Sequence, residues 1–103
     1  NLYNSYDKAA GLGRLLIALA AYNIGEGHIM DAKDLAVKKS LDPNDWASLS
    51  RVLPLLSEQR YYSKTKYGYC RGFEAVNYIN QIMNYYDILK KEVIEYNADN
   101  FFP

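Results

Sequence analysis

The segment of residues 8–24 constrains the fold most, because its pattern predicts a helix that is apolar on almost every side. Apolar side chains lie on both of its sides: Leu12, Leu15, Leu16 and Leu19 on one, and Ile17, Ala18 and Ala21 on the other. A helix of this kind is normally buried on several sides. A chain of 103 residues leaves little material to surround it. We therefore expect part of the domain to lie outside this sequence.

The remaining periodic segments also predict helices, and no alternating strand pattern or hairpin signal is found. Further helices are expected at residues 28–39, 45–52 and 73–95, and the tail at residues 96–103 is expected to be loosely ordered. In the second helix, Ala32 and Leu35 belong to an inward stripe, whereas Asp31, Lys38 and Lys39 are expected to face solvent. The sequence therefore predicts an all-α fold.

Charge and hydropathy exclude several classes of protein. Lys plus Arg and Asp plus Glu number 12 each, so the formal net charge is zero, which argues against a dedicated nucleic-acid binder. The longest strongly apolar run, residues 15–22, is far shorter than the roughly 20 residues that span a bilayer. We expect no nucleic-acid partner and no membrane contact from this segment.

Metal and nucleophile chemistry have too few residues to support them. The chain has a single His, His28, and a single Cys, Cys70. A disulfide within the chain, a thiolate metal cluster and a nucleophilic triad are therefore excluded. We expect Cys70 to be a packed thiol, His28 to be a hydrogen-bonded structural residue, and no metal to be bound.

Tyrosine is unusually common, with 11 residues against one Trp and three Phe, and it is concentrated together with basic residues in residues 60–71. The candidate binding residues there are Arg60, Tyr61, Tyr62 and Tyr67. Basic and aromatic side chains together can bind nucleic acid through phosphates and bases, or an anionic glycan through tyrosine faces and cations. The tyrosines can also simply pack on their own domain. The pattern alone leaves these three interpretations open.

Three glutamates could in principle act as the protonated acid that glycoside cleavage requires. Glu74 lies in the first turn of the last predicted helix, where the helix dipole favours the charged carboxylate. Glu26 lies in a glycine turn that is expected to be hydrated. Glu58 is the best placed of the three, although Arg60 beside it also favours the charged form. No catalytic residue of this chain is therefore assigned beyond Glu58 as a candidate.

Several motifs in order resemble one enzyme family. Residues 18–28, Ala-Leu-Ala-Ala-Tyr-Asn-Ile-Gly-Glu-Gly-His, resemble the Ala-Tyr-Asn motif of the soluble lytic transglycosylases. The segments at residues 28–33, 53–57, 61–72 and 74–79 are similar to those of the membrane-bound lytic murein transglycosylase F subgroup. The resemblance covers roughly residues 12–89.

The resemblance implies an all-α, lysozyme-like transglycosylase domain, of which residues 1–95 would form the C-terminal helical lobe. The family cleaves the β-1,4 bond between N-acetylmuramic acid and N-acetylglucosamine in peptidoglycan without water, and it leaves a 1,6-anhydro sugar. One Glu acts as general acid and then base, no cofactor is needed, and the enzymes work on the periplasmic side of the bacterial cell envelope. The peptidoglycan strand is then the expected partner.

Only some family residues match positions of this chain. Tyr22 and Asn23 match the Ala-Tyr-Asn motif that lines the cleft, and Tyr78 matches the late tyrosine of the same site. The family's catalytic Glu lies in a Glu-Ser motif upstream of Ala-Tyr-Asn, and neither this motif nor the Gly-Leu-Met-Gln-like stretch that follows it occurs here. We therefore expect the acid to lie upstream and the isolated chain to be inactive. The alternative is a non-catalytic helical module that binds peptidoglycan or a partner, with self-association through a bared core face.

Overall fold

The computed structural model describes the backbone of residues 2–101 and the side chains of residues 11–100. Across the described backbone the chain is helical with no strand, as the periodicity predicts. Its elements in order are α1 (Leu2–Ile24), α2 (Glu26–Lys38), α3 (Trp46–Val52), a 3₁₀ helix (Leu53–Ser57), α4 (Gln59–Tyr62) and α5 (Gly72–Phe101).

Two local features mark where α2 and α3 begin. Gly25, with φ 99°, separates α1 from α2, a backbone conformation that glycine adopts without a steric penalty. The Asp45 carboxylate caps α3 by accepting the Ser48 N–H at 3.2 Å and the Ser48 hydroxyl at 3.0 Å. Pro54 then falls in the first positions of the 3₁₀ helix, where its missing N–H removes no helical hydrogen bond.

The core lies where α1, α2, α3 and the 3₁₀ helix meet the first half of α5. Its fully buried members are Ala20, Ala32, Ala36, Leu49, Leu53, Leu56, Ala75 and Ile79. Several are alanines, which allow the helices to approach closely. Gly72 also permits close packing, between the start of α5 and the 3₁₀ helix. A Cβ there would overlap the Leu53 carbonyl oxygen and lie 2.5 Å from the Leu53 carbonyl carbon.

Leu12 and Leu15 of α1 are 41% and 54% exposed, so the described chain leaves them uncovered. Three expectations from the sequence are wrong in detail. Helix α1 begins at Leu2 rather than at residue 8. Helix α5 continues to Phe101, so residues 96–101 are helical. The order of the tail and the domain limits remain predictions, and residues 102–103 lie outside the described part. Asp31 is buried, not solvated, because it bonds a distant loop.

Beyond the core, α5 carries a long uncovered face. Every described side chain from residue 84 to residue 100 is exposed. The large apolar members are Tyr85, Tyr86, Ile88, Leu89, Val93, Ile94 and Tyr96. From residue 84 onward, the 3–4 spacing that predicted this helix therefore does not correspond to burial within the described chain.

Candidate functional site

The Ala-Tyr-Asn motif lies in the last turn of α1, directly before the glycine turn. Ala20 is completely buried, whereas Tyr22 is 88% exposed and Asn23 is also exposed. The Gly25 N–H donates to the Ala21 carbonyl at 2.8 Å and closes this turn. The buried alanine thus fixes the helix, and the two polar side chains that follow it remain open to a ligand.

Tyr78 lies on α5 and is half-buried against the core. Helices α1 and α5 pack against each other, so Tyr78 and the Ala-Tyr-Asn motif belong to adjoining elements. Among residues 11–100, no hydrogen bond joins Tyr78 to Tyr22 or Asn23. The structure therefore puts these three candidates on contacting helices, with the polar groups of Tyr22 and Asn23 unoccupied by described side chains.

The tyrosine-rich segment is tied to α2 through a buried carboxylate that the sequence analysis missed. Asp31 is 3% exposed and accepts the backbone N–H groups of Lys66 at 3.3 Å and Tyr67 at 3.0 Å. The one sequence signal that could have indicated this burial is the position of Asp31, beside Ala32 and one turn before Leu35 on the inward stripe. An acid at such a position needs hydrogen-bond donors, and the loop supplies two.

Tyr67 packs on the start of α2 and remains 47% exposed. A Cβ at Gly27 would lie 2.9 Å from the Tyr67 ring, so the absence of a side chain there permits this close approach. The rings of Tyr67 and His28 meet edge to face with centroids 6.5 Å apart. His28 Nδ1 is buried and has no hydrogen-bond partner within the described part of the chain, contrary to the expected hydrogen-bonded His.

A cavity of about 320 Å³ opens between α2 and the segment after the 3₁₀ helix. We call it the basic cavity because five cations line it: Lys38, Lys39, Arg60, Lys64 and Lys66. Two acids, Asp31 and Asp34, also line it, together with Leu35, Tyr61 and Thr65. Lys38 and Lys39, which were expected only to face solvent, therefore belong to a concave surface.

Tyr61 lies between two of these cations. The Lys39 ammonium donates to the Tyr61 hydroxyl at 3.2 Å and lies 5.0 Å from the ring centroid. The Arg60 guanidinium lies 4.8 Å from the same centroid. Both distances are within the range of cation–π attraction, so the ring holds the two cations near one another. Tyr62 does not line the basic cavity and instead packs edge to face on Tyr69, with centroids 5.5 Å apart.

The three glutamates considered as acids are not enclosed by apolar groups. Glu58 pairs with Arg60 at 3.1 Å, and Glu74 pairs with Arg71 at 3.0 Å. Glu26 is exposed in the first turn of α2. A carboxyl group held protonated for general acid catalysis requires an apolar setting, which none of the three has.

Cys70 is a buried free thiol in the tyrosine-rich segment. It is 4% exposed, and its burial raises the pKa of the thiol, with smaller contributions from the negative charges of Asp31 and Glu74. A raised pKa lowers the thiolate fraction and thereby the nucleophilicity. Among the residues that the structure describes, no group of three His, Cys, Asp or Glu side chains could hold a metal ion.

The chain is similar to segments of three curated bacterial proteins named membrane-bound lytic murein transglycosylase F. The relative from Desulfosudis oleivorans is 58% identical over 79 residues, which cover 77% of this chain and 17% of the relative. Those from Shewanella denitrificans and Shewanella baltica are 50% and 54% identical, covering 80% and 74% of this chain but 18% and 16% of the relatives. The chain thus spans about a sixth of their length.

No family model matches the chain. Within the described residues, no helix has both the length and the apolar character needed to cross a membrane. The identity to the three relatives is high, it extends over three quarters of the chain, and the described fold is all-helical. In this segment the chain therefore belongs to the lytic transglycosylase family, as an all-α helical lobe of the lysozyme-like transglycosylase domain.

Proposed function

We propose that this chain forms the C-terminal helical lobe of a peptidoglycan lytic transglycosylase of the bacterial cell envelope, acting on the periplasmic side. The whole enzyme would cleave the bond between N-acetylmuramic acid and N-acetylglucosamine without water and leave 1,6-anhydro ends. The catalytic Glu would come from a part of the domain that lies upstream. The lobe on its own would be inactive.

One observation carries this proposal: Tyr22 and Asn23 stand exposed at the end of a helix whose buried residues anchor it firmly. Large exposed tyrosines at a fixed helix end suit sugar recognition, because the ring offers an apolar face and the hydroxyl a hydrogen bond. Leu12 and Leu15, exposed on the same helix, are suited to contact further parts of such a domain.

The roles follow from the chemistry of each group. The Asn23 amide can both donate to and accept from a substrate N-acetyl group. The Tyr22 and Tyr78 hydroxyls can orient a carboxylic acid supplied by the other lobe and hold the sugar in place. These three residues would form one wall of the cleft. Arg60, Tyr61, Tyr62 and Tyr67 would be secondary binding residues. Among the described residues, no hydrogen bond, ion pair or ring contact joins them to Tyr22, Asn23 or Tyr78.

The surroundings of the three described glutamates support a catalytic acid that comes from another part of the enzyme. Glu58 and Glu74 are each bound to an arginine at the surface, and Glu26 is exposed. None of these carboxyl groups is enclosed by apolar side chains, the setting that general acid catalysis requires. Glu58 therefore becomes a weaker candidate than its sequence position suggests.

A segment exchange tests the proposal. In the relative from Desulfosudis oleivorans, the 79 matched residues are replaced by those of this chain, and the hybrid is incubated with purified peptidoglycan. We expect the hybrid to release 1,6-anhydro-muropeptides, detected by mass spectrometry, and this chain alone to release none. A hybrid that folds but releases no anhydro product would contradict the assignment, and turnover by the chain alone would contradict the upstream acid.

A non-catalytic module that binds peptidoglycan or a partner is the second candidate, and the basic cavity favours it. Co-sedimentation with purified sacculi distinguishes the two. If binding is lost in Tyr22→Ala or Tyr78→Ala, the bound surface is the cleft wall. If binding persists in both and is lost in Lys64→Gln, it depends on the cavity instead.

The uncovered face of α5 is the place where self-association of the lobe would occur. Residues such as Tyr85, Leu89 and Val93 are each more than half exposed there. Light scattering across a dilution series measures the mass directly. We expect a concentration-dependent dimer that Leu89→Lys converts to a monomer, and a monomer at all concentrations would exclude this association.

A further inference from the structure

We propose that the basic cavity is a ligand site of its own, and that it binds a short peptide carrying several carboxylates and a free ammonium group. This inference goes beyond the proposed function and does not require that the chain take part in glycan cleavage. The cavity does not include Tyr22, Asn23 or Tyr78, so its occupant would be bound apart from the cleft wall.

The charge of the cavity is not balanced by the protein. Five cations line it against two acids, and Asp31 is already used by two backbone N–H groups. Arg60 has a partner in Glu58 outside the cavity lining. Lys38 and Lys64 have no ion pair among the described side chains. Like charges gathered in a concave surface raise the local potential and attract an anion.

Two cations are positioned before any ligand arrives. Tyr61 bonds the Lys39 ammonium and lies within cation–π distance of Arg60, and neither contact neutralises a charge. Asp31 fixes the backbone at residues 66 and 67, which sets the far wall. A site whose groups are already held loses less entropy on binding, so this arrangement favours affinity.

The details favour a peptide over a polyphosphate. Asp34 lies on the wall, is exposed, and has no cation within ion-pairing distance among the described residues. A carboxylate at this position repels a uniformly anionic strand and attracts an ammonium group. A volume of about 320 Å³ accommodates a ligand of a few residues.

Titration followed by amide NMR on the whole chain tests the site. The probe is the tripeptide Ala-Glu-Glu with free termini. We expect saturable shifts of the Lys66 and Tyr67 amide signals, at the cavity wall, and none at Tyr85 or Ile88 on the far part of α5. No shift of the wall signals up to about 10 mM peptide, a limit that corresponds to negligible affinity, would overturn the proposal.

Two double variants that remove the same charge distinguish binding in the cavity from attraction to the overall charge of the chain. Lys38→Gln with Lys64→Gln should weaken binding about tenfold or more, because both cations lack other partners. Lys90→Gln with Lys91→Gln removes the same charge from the exposed part of α5 and should leave the affinity within about twofold. Equal weakening by both pairs would mean that only net charge matters and would overturn the proposal.

Two further arms identify the ligand chemistry. Asp34→Asn should weaken the free tripeptide several-fold, because the partner of its ammonium group is lost. The N-acetylated form carries only carboxylates, which Asp34 repels, so the same change should not weaken it and should bind it more tightly if anything. Inorganic phosphate and a single-stranded oligothymidine serve as competing anions. If either binds the cavity as tightly as the peptide, or if Asp34→Asn does not distinguish the two peptides, a peptide site is contradicted.

Discussion

The Asp31 carboxylate accepts the backbone N–H of Tyr67 at 3.0 Å, so one acid of α2 fixes a loop that lies 36 residues further along the chain. The second carboxylate oxygen accepts the Lys66 N–H at 3.3 Å. Both acceptors of a buried anion are therefore occupied by backbone donors that would otherwise need water. This pair of bonds holds one wall of the basic cavity and brings the Tyr67 ring onto Gly27.

Asp31→Asn should reduce the free energy of unfolding by about 1–3 kcal/mol, because the amide nitrogen would face a backbone N–H and leave a buried donor unsatisfied. Urea unfolding followed by circular dichroism measures this. Asp34→Asn, on an exposed residue one turn away, is the matched control and should change stability by less than about 0.5 kcal/mol. Equal effects of the two changes would show that the loop is not anchored by Asp31.

Replacing two different glycines by alanine should change the stability of the chain in opposite directions. Gly72→Ala should destabilise the chain by about 2–3 kcal/mol, because the new methyl group would meet the Leu53 carbonyl, which cannot move without disturbing the 3₁₀ helix. Gly11→Ala, where nothing described lies within 4 Å of the new Cβ, should stabilise α1 by about 0.5–1 kcal/mol. Thermal unfolding of the two variants beside the parent decides this, and a neutral Gly72→Ala would refute the close packing.

The helices could be predicted from the sequence because their determinants are local. The stripe of Ile29, Ala32 and Leu35 marks α2, and Asp45 caps α3 within three residues of its partner. The end of α5 was missed for a local reason too. No Gly or Pro follows residue 95 until Pro103, so nothing in the sequence stops the helix where the apolar spacing fades.

The site could be predicted only in part, because several of its determinants are distant in sequence. The motif drew attention to Tyr22 and Asn23, which are both exposed at the end of α1. The burial of Asp31 depends on donors 35 and 36 residues away, which no periodicity reveals. The basic cavity likewise brings Lys38 and Lys39 together with Arg60 and Lys64, which follow α3 in the sequence. From the sequence alone, Lys38 and Lys39 could not be distinguished from ordinary solvent-facing residues.

Gly27 and Tyr67 should be energetically coupled. Gly27→Ala puts a methyl group 2.9 Å from the Tyr67 ring and should cost about 1–2 kcal/mol. In the Tyr67→Ala background the ring is gone, so the same change should cost almost nothing. A double-mutant cycle from denaturant unfolding measures the coupling. Additive effects of the two changes would mean that the ring does not lie over Gly27 in solution.

Cys70 should make stability depend on alkaline pH. Burial raises the pKa of its thiol, so the folded chain holds this proton more tightly than the unfolded chain. The resulting stability is complete below the ordinary thiol pKa of about 8.5 and is lost as the pH rises through the higher folded value. The stability of the parent relative to Cys70→Ala should therefore be constant from neutral pH to about 8.5 and decrease at higher pH. A constant difference at every pH would contradict the raised pKa.

Tyr22 should affect function without affecting the fold. Its side chain is 88% exposed and no described side chain bonds it, so Tyr22→Ala should change the free energy of unfolding by less than about 0.5 kcal/mol. In the hybrid with the Desulfosudis oleivorans relative, the same change should lower the rate of anhydro-muropeptide release by about 10–100-fold, since an orienting group beside the acid is lost. Tyr85→Ala removes another exposed tyrosine, 69% exposed, from the far part of α5 and should leave this rate unchanged. If Tyr22→Ala and Tyr85→Ala behave alike, the exposed end of α1 is not a wall of the cleft.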